Sequence, residues 1–257
     1  MVNVLALGVF WSGWIKDLLC LPRPLSPPLQ RISMSGSAAL EYGFPSTHST
    51  NAVSVAVYAI QMLRDTADTR HPNLNIALQA LFYFYAVSIV FGRLYCGMHG
   101  FSDVIIGSSL GVLIAAVQLI FGEQFDLWIC EESYINPLIV TLVILFLIRI
   151  HPEPADDCPC FDDSVAFAAV VIGVNIGAWH YSKTGFSIDY PTGSTVPFDF
   201  AKVGLVKSAL RIIIGVVVVF AWRGTMKPAL FKILPPIFRI LESVSLNLPR
   251  AFFLNAS

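Results

Sequence analysis

Asp103-Val104-Ile105-Ile106-Gly107-Ser108-Ser109-Leu110-Gly111-Val112-Leu113-Ile114-Ala115-Ala116-Val117-Gln118-Leu119-Ile120-Phe121 decides the fold class. Beyond Asp103 the stretch carries no charge. At roughly 1.5 Å per residue it is long enough to cross most of a hydrocarbon core of roughly 30 Å. It therefore reads as a membrane helix. Gly107, Gly111 and Ala115 recur every fourth residue within it, the small-residue spacing that lets membrane helices approach closely. That spacing continues the step from His99 to Asp103 just upstream. Close packing beside a polar cluster and ordinary helix packing both fit it.

Working outward, further apolar runs lie at about 2–19, 49–63, 74–91, 135–150, 164–181 and 205–222. Of the 257 residues, 56% are hydrophobic and 13% charged, and the mean hydropathy is +0.70. A soluble domain carries roughly 25% charged residues. These properties predict an all-α, polytopic transmembrane helix bundle of about seven spans. The first run ends with Trp11 and Trp14 and lacks a basic leader, so it reads as a membrane helix with an aromatic interface end. It begins at Met1, which raises the expectation of earlier helices in a longer protein. Residues 1–222 are expected to form the membrane domain. Residues 223–257, with Lys227, Lys232 and Arg239 among apolar residues, read as an amphipathic tail interrupted at Pro235-Pro236.

The net charge of −1 argues against nucleic acid as a partner. Of the five cysteines, Cys158-Pro159-Cys160 is too tight for an ordinary structural disulfide and offers too few ligands for zinc. No redox reading follows.

Three polar clusters interrupt this apolar chain. They are Lys16-Asp17-Leu18-Leu19-Cys20-Leu21-Pro22-Arg23-Pro24, Phe44-Pro45-Ser46-Thr47-His48-Ser49 and Gly92-Arg93-Leu94-Tyr95-Cys96-Gly97-Met98-His99-Gly100-Phe101-Ser102-Asp103. Ionisable groups at the edge of a membrane segment are costly and usually functional. Alternating the spans puts all three clusters on one side of the membrane. His99 and Asp103, spaced i, i+4, face the same way if a helix begins there. A carboxylate beside an imidazole fixes its tautomer. The inventory suits an oxyanion that is held, attacked and released. The distribution of Lys and Arg over the loops does not decide which side is cytoplasmic.

The order Lys-x6-Arg-Pro, Pro-Ser-Thr-His, Arg-x5-His-x3-Asp resembles the type 2 phosphatidic acid phosphatase superfamily. The resemblance covers about residues 10–120. Thr47 stands where many members have Gly, and Gly92 where many have Ser. The Thr and the later text from His151 to Asp163 look like the branch that acts on long-chain-base (sphingoid) phosphates.

The resemblance implies a phosphoric monoester hydrolase. His99 would attack phosphorus and form a phosphohistidine, with Asp103 orienting it. His48 would protonate the leaving group and then activate water. Lys16, Arg23 and Arg93 would hold the phosphate oxygens, aided by Ser46, Thr47 and backbone N–H groups at a helix start. Three cations make a metal unnecessary, and no carboxylate cluster suits Mg²⁺, so the expectation is no cofactor and no metal.

The implied substrate is a sphingoid-base 1-phosphate. The implied location is the endoplasmic reticulum membrane, with the site facing the lumen. Protein partners are not indicated. A glycerolipid-phosphate or isoprenoid-diphosphate phosphatase is the alternative, as is a non-catalytic transporter or scaffold of the same fold. Plainer readings stand beside each residue: Arg23 and Arg93 as interface anchors, Lys16 as a snorkelling side chain, Ser46 and Asp103 as helix caps. His71, His151 and His180 match no motif and read as structural or surface groups.

Overall fold

The structure is a computed structural model that describes residues 1–33, 40–184 and 200–243. Among the described residues all regular structure is helical: α1 (Val2–Leu19), α2 (Thr47–Asp65), α3 (Pro72–Tyr95), α4 (Phe101–Ile129), α5 (Ile135–Arg149), α6 (Cys160–Lys183) and α7 (Phe200–Ser243), with a short 3₁₀ turn at Ala67–Thr69. Of the described helices, α1, α3, α4, α6 and the Val203–Ile237 part of α7 are long and apolar enough to cross a membrane. α5 is apolar but shorter. The chain is a polytopic helical bundle.

α2 is the least apolar of the expected spans, and its packing explains why. It lies against α1, α3 and α4, so its polar residues face protein. Ser49, Thr50 and Ser54 are fully buried. Thr50 Oγ1 donates to the Gly107 carbonyl of α4 at 2.9 Å. A Cβ on Gly107 would lie 2.6 Å from the Ser46 carbonyl oxygen, and one on Gly111 would lie 2.4 Å from that of Thr50. The small-residue spacing of α4 is thus a backbone-to-backbone seam with α2. Gly173 and Gly177 of α6 have the same spacing, yet a Cβ at either would meet nothing within 4 Å. The expected second seam has no facing helix among the described residues.

α1 packs on α6, and α5 on α6. The start of α6 and the segment before it lie beside the end of α1. There Cys158 and Cys160 bring their sulfurs together at the turn around Pro159, a spacing as tight as the sequence suggests. Their Cα atoms stand 5.4 Å apart. His151, expected to be structural or at the surface, is 6% exposed and surrounded by Phe10, Trp14 and Phe161.

α7 falls in a separate compact unit, residues 195–257; residues 1–194 form the other. Gly204, at φ 74°, is the non-helical point within it. The helix carries Pro228, Pro235 and Pro236 inside and runs to Ser243. The expected interruption at Pro235-Pro236 is therefore not a helix end. Residues 185–199 of the expected 182–203 loop, and the tail after Ser243, lie outside the described residues.

Candidate active site

Every polar cluster found in the sequence reaches the same end of the bundle. The buried face of α1 runs Val9, Ser12, Gly13, Lys16, which is one side of a helix by spacing. Lys16 is 4% exposed, so it does not snorkel. The helix stops at Cys20, whose φ of 49° is left-handed, and the chain turns to bring Arg23 inward at 7% exposure. Its Nη1 donates to the Met98 carbonyl at 3.0 Å and lies 3.3 Å from His99 Nε2. Its Nε donates to the Glu41 carbonyl, and its Nη2 to Glu41 Oε2 at 2.5 Å.

The third cluster is folded back by a tight turn. α3 ends at Tyr95, and Gly97 takes a φ of +62°. A Cβ there would also lie 2.9 Å from the Gln30 carbonyl oxygen, so glycine meets both demands. The turn presents His99 just before α4. Arg93 sits in the last turn of α3, and its Nε is buried with no hydrogen-bond partner.

His99 is 4% exposed. Its Nδ1 lies 2.8 Å from the Gly43 carbonyl oxygen. A carbonyl only accepts, so Nδ1 carries the hydrogen and Nε2 keeps its lone pair, aimed at Arg23. Burial pushes the imidazole down to about 3, Arg23 and Lys16 add to this, the Gly43 bond opposes it, and Arg93 adds a smaller push. The ring is neutral at physiological pH, as a nucleophile must be.

Asp103 lies 3.6 Å from His99 Nδ1 through Oδ2, and the same oxygen accepts from the Gly100 N–H at 2.7 Å. It caps α4 while standing behind the imidazole. The nearer orienting partner is a backbone carbonyl.

The second cluster opens α2. Ser46 is its N-cap: the Oγ accepts from the Ser49 N–H at 3.3 Å, and the side chain is fully buried. Its own N–H donates to the Asp103 carbonyl at 3.0 Å, tying α2 to α4. Thr47 Oγ1 accepts from Ser12 Oγ at 2.9 Å, tying α2 to α1. His48, next along, is exposed, and the charges acting on it are those of Arg93, Lys16, Glu41 and Arg23. Thus Lys16, Arg23, His48, Arg93, His99 and Asp103 share one site. Ser46 and Thr47 hold the helix start beneath it.

Sequence reasoning missed two members. The Gly43 carbonyl has no side-chain signature and could not be read. Glu41 could: it is an acid in a loop between cation-bearing motifs, and its Oε2 also lies 3.8 Å from Lys16 Nζ.

A pocket of cations facing a neutral, oriented imidazole can grip an oxyanion and attack its centre. Residues 1–125 match the family described as the PAP2 superfamily. The chain is 38% identical over 243 residues to a dihydrosphingosine 1-phosphate phosphatase of Schizosaccharomyces pombe, covering 94% of this chain and 57% of that protein. It is 35% identical over 246 residues to a dihydrosphingosine 1-phosphate phosphatase of Saccharomyces cerevisiae, covering 95% and 59%. Sphingosine-1-phosphate phosphatase 2 of Homo sapiens is 27% identical over 245 residues, with 91% and 58% covered. The chain spans a little under three fifths of the length of these relatives. No solved structure gives a significant match. The motif residues from Lys16 to Asp103 all fall inside the family match, and residues 1–125 of this chain form a PAP2 superfamily domain.

Proposed function

We propose that the chain is a lipid phosphate phosphatase that hydrolyses sphingoid-base 1-phosphates through a phosphohistidine on His99. One observation carries the chemistry. His99 Nδ1 is committed to the Gly43 carbonyl, and Nε2 is 3.3 Å from an arginine nitrogen. A lone pair beside Arg23 supports a reading in which that cation grips the phosphate the imidazole attacks.

In the first step, Nε2 attacks phosphorus and the bond to the lipid oxygen breaks. His48 gives its proton to the departing alkoxide. In the second step, His48 takes a proton from water, the hydroxide attacks phosphorus, and the P–N bond breaks. Inorganic phosphate leaves and His99 is restored. Lys16, Arg23 and Arg93 neutralise the phosphoryl oxygens, where most of the catalysis of phosphoryl transfer resides. Asp103 holds the imidazole from behind. The start of α2, with Ser46 and Thr47, supplies backbone N–H donors.

The substrate class rests on the similarity to named phosphatases of sphingoid phosphates. The site lies at one end of the bundle, so the alkyl chain stays among the helices while the headgroup enters the cations. We place the protein in the endoplasmic reticulum membrane with this end in the lumen. Residues 1–222 are the membrane domain in this reading, and 223–257 the tail.

The test is phosphate release from dihydrosphingosine 1-phosphate by the purified chain in detergent with EDTA, beside phosphatidic acid and the His99→Ala variant. Release from the sphingoid ester, lost in the variant, is the expected result. Equal release from both lipids would overturn the substrate class. No release from a well-folded chain would overturn the enzyme reading.

A further inference from the structure

The cation cluster contains an acid that a plain phosphate site does not need. Glu41 Oε2 contacts Arg23 at 2.5 Å and stands 3.8 Å from Lys16, and the carboxylate side chain is 27% exposed against 5% for each cation. It therefore forms the open edge of the cluster. Asp163, exposed at the start of α6, lies within electrostatic reach of both Glu41 and Lys16 and adds to the negative edge.

A carboxylate here weakens the site for a bare phosphate. It cancels part of the positive field and repels the incoming dianion. Glu41 is also built in. Arg23 Nε holds its backbone carbonyl at 3.1 Å while Nη2 holds its side chain. On the next residue, Tyr42 is 5% exposed, and its hydroxyl accepts from the Asp156 N–H at 3.0 Å. Gly43 follows, with its N–H on the Leu21 carbonyl at 2.8 Å and its backbone too close to Pro22 and Arg23 to admit a Cβ freely. The loop cannot swing the acid away without losing the carbonyl that orients His99.

A fixed anion beside a phosphate pocket is favourable when the ligand carries its own cation close to the phosphate. Sphingoid-base 1-phosphates do so: a protonated amine sits on the carbon next to the phosphate-bearing carbon. Phosphatidic acid and simple alkyl phosphates carry none. We propose that Glu41 is an ammonium-binding subsite that selects phosphate esters with a neighbouring primary amine. The proposal rests on the phosphatase reading above and deepens it. With such a substrate bound, phosphate replaces the carboxylate on Lys16 and shares Arg23 with it. The ammonium then bridges the phosphate and Glu41. Each charge keeps an opposite neighbour, which an amine-free ester cannot achieve.

The experiment measures kcat/KM on dihydrosphingosine 1-phosphate and on octadecyl phosphate, for the wild-type chain and Glu41→Gln. The wild type is expected to favour the amine-bearing ester. Glu41→Gln is expected to lower kcat/KM on that ester about tenfold more than on the octadecyl ester. The selectivity ratio is the readout, because a role limited to holding Arg23 would lower both esters in parallel. Parallel loss overturns the proposal.

The wild-type chain compared on dihydrosphingosine 1-phosphate and its N-acetyl derivative, whose nitrogen is uncharged, gives the test without a variant. Equal kcat/KM there also overturns the subsite. Hydrolysis without selectivity fails the subsite alone. Hydrolysis of no ester by the wild type fails the phosphatase reading and takes the subsite with it.

Discussion

Two histidines at the same end of the bundle have nearly the same immediate partners. His99 lies 2.8 Å from the Gly43 carbonyl through Nδ1 and 3.6 Å from Asp103. His151 lies 2.9 Å from the Pro152 carbonyl through Nδ1 and 3.8 Å from Asp17. Both are buried, and burial lowers the pKa of both. Both therefore hold an Nε2 lone pair.

What differs is what that nitrogen faces. His99 Nε2 meets Arg23, with Lys16 and Arg93 close enough to act on it. His151 Nε2 is buried without a hydrogen-bond partner, among the rings of Phe10, Trp14 and Phe161. The adjacent residues Lys16 and Asp17 divide between the two pockets: Lys16 serves the first, and Asp17 the second. An oriented imidazole is thus not enough for phosphoryl chemistry. In the proposed reaction the surrounding cations fit His99 to attack an anion, whereas His151 is packed among rings.

Exchanging the two histidines in turn should break this comparison most visibly. His99→Ala is expected to lower phosphate release about a thousandfold or more, since it removes the attacking atom. His151→Ala should keep kcat within about threefold and lower the melting temperature in detergent, by loss of a buried ring worth about 3 kcal/mol. Equal losses of activity in the two variants would contradict the division of roles.

Arg23 comes next. Arg23→Ala should cost about a hundredfold in kcat/KM, and Arg23→Lys should recover only part, because one ammonium cannot serve Glu41, Met98 and the substrate together. Full recovery by Lys would mean that charge alone matters at this position.

Glycines sharpen the comparison at smaller magnitude. A Cβ on Gly43 would lie 2.9 Å from the Pro22 carbonyl oxygen, whereas one on Gly173 would meet nothing within 4 Å. Gly43→Ala is expected to lower kcat about tenfold by shifting the carbonyl that orients His99. Gly173→Ala should leave it unchanged. Turnover that ignores Gly43→Ala would remove this carbonyl from the account.

The last effect is on stability, not rate, and is read against pH. The His99 imidazole is lowered from 6.5 to about 3 in the folded chain. Between those values the unfolded chain binds a proton that the folded one does not. Stability from this group is therefore fully present above pH 6.5 and falls as the pH drops toward 3, by at most about 1.4 kcal/mol per pH unit. Melting curves at pH 7 and pH 5 should converge less in wild type than in His99→Gln. An identical pH shift in both would place the slope elsewhere.

Much of this was legible in the chain. Apolar length predicted the helices, and the alternation of spans brought Lys16, Ser46 to His48 and Arg93 to Asp103 to one end. α2 was legible as a helix, but its polar residues could not be assigned a face until α4 lay against it. The close seam at Gly107 and Gly111 was readable, while Gly173 and Gly177 carried the same pattern without a partner. Spacing records that a helix can be approached, not that it is. The carbonyl of Gly43 left no trace because every residue has one. His151 matched no motif, and only the folded chain shows its carboxylate.

The most direct test of the central claim is to find the phosphoryl group on the protein. The purified chain would be mixed with dihydrosphingosine 1-phosphate and quenched in alkali, and the modified peptide would be located by mass spectrometry. The account predicts phosphate on His99, absent from His99→Ala. Turnover in His99→Ala at the wild-type rate, or phosphate on His48 or His151 instead, would contradict it.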